Sequence, residues 1–262
     1  MKNQILLGLD RGVWKYSLQT ICTNAKEIQL DGLEIQPEHP EIFKTFPEVR
    51  NLKTLLKNYG IKRISVHAPI KDINTSSYNP RIREASLMEL KNTIKFASQL
   101  SDDITYIVVH GGQNSFKSAS DFEKDYLIKA LDLTIEGLKE LTKNCEEYGI
   151  TLSIENMTFS PWRLTSRIMF LEQIFKEIPT LRFTFDFHHG TYGSERYSLR
   201  ILEKFKARLI SVHIGQLFEL IKVQNYIKDL NPFVIIEPHH FADEGNIFAQ
   251  LKTMINEIRA LD

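Results

Sequence analysis

With 262 residues, 42% of them apolar and 25% charged, the chain can bury one large core and has the composition of an ordinary globular protein. Lys plus Arg and Asp plus Glu both number 33, so zero formal charge excludes a general attraction to nucleic acid or an anionic membrane. Two distant cysteines, Cys22 and Cys145, exclude a disulfide framework, and no apolar run approaches the roughly 18 residues of a spanning helix.

The N-terminal MKNQILLGLD reads as a strand, not a secretion signal, because its apolar stretch is too short and lacks a small-residue cleavage site. A cytoplasmic protein with reduced thiols is expected. That first strand ends on Asp10. DGLEI follows and carries Glu34, then RISVH after Gly60, ending on His67. Segment 81–100 has helical period and leads into YIVVH, which ends on His110. A second helical segment, 121–148, puts apolar residues at 127, 131, 135, 138 and 141 on one face. Ser120 with Glu123 forms a capping box at its start, and Gly149 stands where it should stop. LSIEN then carries Glu155, and a helix is expected over 164–177. FTFDFHH carries Asp186, LISVH ends on His213, and VIIEPHH carries Glu237 before a last helix over 244–260.

The short runs are β-branched and apolar on both faces, as strands covered on both sides are. Successive chemical residues lie 24 to 45 positions apart, room for a helix at each step. Eight strand–helix units argue for a closed parallel sheet, a single (β/α)8 TIM barrel spanning 1–262. Such a barrel gathers the C-terminal ends of its strands around one mouth, where chemistry is done.

Any one His or Glu at a strand end has a plain structural explanation. Eight together do not, because several buried carboxylates must share cations, protons or a metal. Glu155, Asp186, His213 and Glu237 come from four successive strands and form a ligand set suited to Mn²⁺, with Mg²⁺, Co²⁺ or Zn²⁺ as alternatives. His67 and His110, with a bridging Glu155, form a candidate second, more zinc-like site. Trp14, Phe159, Trp162 and Tyr192 follow strand ends and could wall a sugar pocket with ring faces. Arg11, Lys71, Arg163 and Arg196 are expected near strand-end loops, where they could meet a phosphate or carboxylate. His188, His239 and His240 could orient metal ligands.

The elements VHAP (66–69), VVHGG (108–112), IEN (154–156), DFHH (186–189), SVH (211–213) and IEP (236–238) resemble the xylose-isomerase-like barrel superfamily, along essentially the whole chain. That group includes endonuclease IV, xylose isomerase, tagatose and psicose 3-epimerases, and hydroxypyruvate isomerase. In the ketose-epimerase branch, the resemblance implies one divalent metal, usually manganese, on Glu155, Asp186, His213 and Glu237. Glu155 and Glu237 then form the acid/base pair that removes and returns a proton α to a carbonyl. His189 is implied as a substrate contact, and Glu34, Trp14 and Asn156 are taken as further substrate-binding positions.

The resemblance therefore implies a metal-dependent isomerase or epimerase of a sugar, sugar phosphate or similar hydroxycarbonyl compound. Homo-oligomers are common in the superfamily. The endonuclease IV branch implies instead a two-metal phosphodiesterase using His67 and His110. Against it, the Asp-x-His of that branch is missing after strand seven, and Ile70 replaces an aromatic DNA-contacting position. The epimerase pattern is also incomplete, since no arginine follows His213 within His213-Ile214-Gly215-Gln216-Leu217-Phe218. A barrel that binds metal and ligand without turnover is the third reading.

Overall fold

In a computed structural model of the chain, residues 4–100, 104–115, 123–191, 194–241 and 246–260 are described. Eight parallel strands close on themselves in chain order. They are β1 (Ile5–Gly8), β2 (Gly32–Ile35), β3 (Arg63–His67), β4 (Ile104–His110), β5 (Thr151–Glu155), β6 (Arg182–Asp186), β7 (Leu209–Ile214) and β8 (Phe233–Ile236). The closure runs through β1 and β8, where Leu7 pairs with Ile236. A helix separates each pair of neighbouring strands, so the sheet is apolar on its outer face and the two-sided burial read from the sequence follows.

The helices bury one stripe each. In Pro80–Leu100 the buried set includes Leu87, Leu90, Ile94 and Ala97, at helical spacing. The helix expected over 121–148 spans Glu123–Glu147, and Gly149 follows it at φ +67°, a conformation only glycine adopts without strain. The capping box at Ser120 lies outside the described residues. One expectation is corrected. The segment 164–177 is divided, because Arg167 is extended and separates a 3₁₀ turn, Leu164–Ser166, from the helix Ile168–Glu177. The sixth strand ends on Asp186 as expected, and the Asp186 carboxylate Oδ1 accepts the His189 backbone N–H at 2.5 Å and starts a short helix, Phe187–Thr191.

Cys22 and Cys145 are each 1% exposed, and burial pushes their thiols up to about 11 and about 12. The thiolate is the reactive form. At pH 8 the folded protein is therefore expected to leave both thiols unlabelled by a disulfide reagent, and both should react once urea unfolds it. Rapid labelling of the native chain would contradict this packing.

Candidate active site

The C-terminal strand ends open on one cavity of about 430 Å³, a size that suits a small ligand. Glu155, Glu237, His67, His110, His189 and Asp10 are part of its wall. Glu155, on the last residue of β5, is 1% exposed and stands among three imidazoles. Its Oε2 lies 3.1 Å from Nε2 of both His67 and His110, and its Oε1 lies 2.9 Å from Nδ1 of His189. Burial opposes ionisation of Glu155, but these three imidazoles outweigh it and hold its carboxyl well below the usual range. His67 keeps Nε2 aimed at the site because Nδ1–H donates to the Ala68 carbonyl at 2.9 Å. Burial alone would lower the His67 pKa, yet Glu155 raises it to about 9. Burial dominates at His110 and brings it down to about 4, so that ring is neutral at pH 7.

Asp186, 1% exposed, is pushed up to about 7 by burial, with Glu237 and Glu155 adding to the rise. Asn156 ties it to β5. Its amide donates to the Asp186 carbonyl and its Oδ1 accepts the Asp186 N–H, both at 2.8 Å. His213 on β7 is fully buried, with Nδ1 3.2 Å from Oε1 of Glu237 and Nε2 3.4 Å from Oε1 of Glu34. Glu237 is held down to about 2, because the adjacent His213 imidazole overcomes its burial.

Three groups bring ligand-type atoms within 4.8 Å of one another: Glu155–Asp186–His213, His67–His110–Glu155, and Asp10–Glu237–His239. A divalent cation fits the first group. Both ring nitrogens of His213 and Oε1 of Glu34 are buried without hydrogen-bond partners, a costly arrangement unless a cation is shared. The mixed carboxylate and imidazole donors suit Mn²⁺, Mg²⁺, Co²⁺ or Zn²⁺. Glu237 touches this group through His213 and belongs also to the third.

The other sequence candidates are divided. Trp14 lines the cavity, its indole N–H fixed on the Leu9 carbonyl at 3.0 Å. His189 lines it too. Glu34 and Asn156, expected as substrate contacts, are 0% exposed and stand behind the cavity wall. Phe159 and Trp162 are not among its lining residues, and Phe159 packs edge-on against Tyr197. Arg196 lies on the helix Glu195–Phe205 and is also absent from the lining. Tyr192 lies outside the described residues.

Two features escaped the sequence reading. Asp10, two residues beyond β1, receives the His239 ring at 2.5 Å and the Gly12 backbone N–H at 2.7 Å. This dyad forms only because the barrel closes β8 against β1. The second feature is a buried polar layer one step below the candidate ligands. Ser153, Thr184 and Ser211 form a hydroxyl chain with spacings of 2.7 and 2.9 Å. Ser65 donates to Oε2 of Glu34 at 2.9 Å, and the Tyr106 hydroxyl lies 3.5 Å from the same oxygen. A signal for it was present. Each of Ser65, Ser153, Thr184 and Ser211 precedes His67, Glu155, Asp186 or His213 by two positions, the spacing that puts both side chains on one strand face.

A family model described as xylose isomerase-like TIM barrel matches residues 22–262. The uncharacterized protein MJ1311 of Methanocaldococcus jannaschii is 29% identical over 200 residues, 75% of this chain. The aligned stretch is 65% of that relative's length. A D-tagatose 3-epimerase-like protein superposes with a TM-score of 0.79 at 22% identity, covering 98% of this chain and 97% of its own. D-psicose 3-epimerase from Clostridium cellulolyticum H10, solved with D-tagatose, gives 0.74 at 16% identity and 98% of both chains. The IolI protein, solved with a bound zinc atom, gives 0.74 at 13% identity and 97% of both chains. At these identities the structural likenesses carry the fold alone. The family match covers most of the sequence, and the chain belongs to the xylose isomerase-like TIM barrel family.

Proposed function

We propose that the protein is a divalent-metal-dependent isomerase or epimerase of a sugar or similar hydroxycarbonyl compound. One observation carries the reading: two carboxylates held in the ionised form, Glu155 and Glu237, line a single small-ligand cavity beside the donors Asp186 and His213. Similarity to proteins described as sugar epimerases, and to one solved with zinc, supports it.

Glu155, Asp186, His213 and Glu237 would hold the ion, which when bound supplies Lewis acidity at a carbonyl and its neighbouring hydroxyl. Glu155 and Glu237 act on the carbon α to that carbonyl. One takes its proton to leave an enediolate; the other, having taken a proton from solvent in the open cavity, gives it to an adjacent position or to the opposite face, and the first then releases the abstracted proton to solvent. His189, fixed between Oε1 of Glu155 and the Asn156 carbonyl, orients a substrate hydroxyl. Trp14 closes one side of the pocket.

Glu34 positions His213. A carboxylate behind a ligating imidazole fixes its ring and raises its basicity, and loss of such a partner costs about ten- to a hundredfold in metal affinity. Glu34→Gln is therefore expected to weaken divalent-ion binding by about that factor in titration calorimetry. Unchanged affinity would remove Glu34 from this role.

The reading is tested by incubating the metal-loaded protein with ketoses in deuterium oxide and following label at carbon. Exchange at a carbon next to the carbonyl is expected. The group His67–His110–Glu155 favours a rival, a two-metal hydrolase of phosphate esters. Two or three zinc ions per chain, with ester cleavage and no exchange, would select that rival.

A further inference from the structure

The cavity has two charge layers. Its floor carries the strand-end carboxylates Glu155 and Glu237. Its upper wall carries three cations on three different loops: Arg11 after β1, Lys71 after β3 and Arg163 after β5. Among the described residues, none of the three has a carboxylate oxygen within 4.0 Å. Some cations elsewhere on the surface do, as in Lys139–Glu177 at 2.7 Å and Lys222–Glu195 at 2.9 Å.

The acids nearest these cations in the wall are already engaged by protein groups. Asp10 accepts the Gly12 N–H and the His239 ring, and Glu38 accepts the Lys71 backbone N–H at 2.9 Å. The three cations thus face the cavity beside carboxylates that are held by other groups and not by them.

Arg163 is the best anchored of the three. Its loop is laced to the loop after β4. The Asn114 N–H donates to the Trp162 carbonyl at 2.8 Å, the Leu164 N–H donates to the Gly112 carbonyl at 3.3 Å, and Gln113 bridges Arg163 between them. Gly112 has no room for a side chain there, since an added Cβ would lie 2.3 Å from the Ser76 hydroxyl. A half-buried arginine on a pinned backbone presents a preformed fork to a planar or tetrahedral anion.

We infer that the substrate carries an anionic group, a phosphate monoester or a carboxylate, which Arg163 binds with help from Arg11 and Lys71 while the hydroxycarbonyl end faces Glu155 and Glu237. The inference deepens the proposed proton-transfer function and rests on it for the choice of substrate. The layering also sets direction. Glu155 and Glu237 stand at the strand ends, and the three cations stand on the loops beyond them.

The test uses the full metal-loaded chain and three probes: D-tagatose, D-tagatose 6-phosphate and the ketose acid tagaturonate. The expected result is deuterium exchange with kcat/KM at least about tenfold higher for a charged probe than for the neutral ketose, the gap narrowing as salt rises. The favoured probe identifies the group, phosphate or carboxylate. Arg163→Gln should raise KM for that probe by about ten- to a hundredfold and collapse the preference, and Arg163→Lys should keep part of it. An unchanged thermal midpoint separates this loss from misfolding.

Equal turnover of neutral and charged probes, or an unaltered preference in Arg163→Gln, would overturn the inference and leave the proton-transfer reading standing. If no probe exchanges, the proton-transfer reading fails, and the anion site is judged by calorimetric titration of inorganic phosphate. Binding weakened in Arg163→Gln supports the site, and binding absent or equal in both proteins overturns it.

Discussion

Glu155→Gln and Glu237→Gln should each lower solvent-deuterium exchange into a ketose by at least about a hundredfold, and by up to about ten-thousandfold. The glutamine amide matches the carboxylate in shape but cannot accept a proton at these rates. The two variants should differ in a second property. Glu155 is ringed by His67, His110 and His189, so its loss strands three imidazoles that share one carboxylate. Glu237 meets His213 and stands in the group with Asp10 and His239. The Glu155 variant should therefore lose more stability as well as activity, because unpaired buried charges are costly. Exchange persisting in both variants would show that neither carboxylate handles the substrate proton.

Gly32→Ala is expected to destabilise the fold by about 3 kcal/mol, the upper part of the range for overpacking. Gly32 starts β2 and pairs in register with Arg63 of β3. A Cβ built there would lie 1.9 Å from the Arg63 carbonyl oxygen and 2.7 Å from its carbonyl carbon. Backbone cannot swing aside as a side-chain tip can, so β2 must shift, and with it Glu34 two residues on. A urea midpoint shows the loss, and metal affinity of the surviving folded fraction should fall with it. A wild-type midpoint would contradict the close β2–β3 approach.

The parallel barrel was legible because its signal is local. Short β-branched runs, helical stretches between them and a chemical residue at each strand end can all be counted along one sequence. The strand-end placement of the candidate residues was legible for the same reason, since His67, His110, Glu155 and Asp186 are each the final residue of a strand. What depends on closure was not. Asp10 and His239 lie 229 positions apart and meet only across the β1–β8 seam. Glu34 looked like one more rim carboxylate, yet it is the penultimate residue of β2 and points into the buried layer with Ser65 and Tyr106. Asn156 looked like a pocket residue next to Glu155, but its amide is consumed by the Asp186 backbone. The split at Arg167 was hidden because its flanks, Leu164–Ser166 and Ile168–Glu177, share one helical periodicity.

The central claim is that the buried carboxylates and imidazoles of β5 to β8 exist to hold a divalent ion. Metal analysis by mass spectrometry, on full-length protein purified without added ions, tests it most directly. A single ion of manganese, magnesium, cobalt or zinc per chain is expected, retained by the wild type and lost from Asp186→Asn. Protein that is folded yet takes up none of the four ions, even after reconstitution with each, would contradict it.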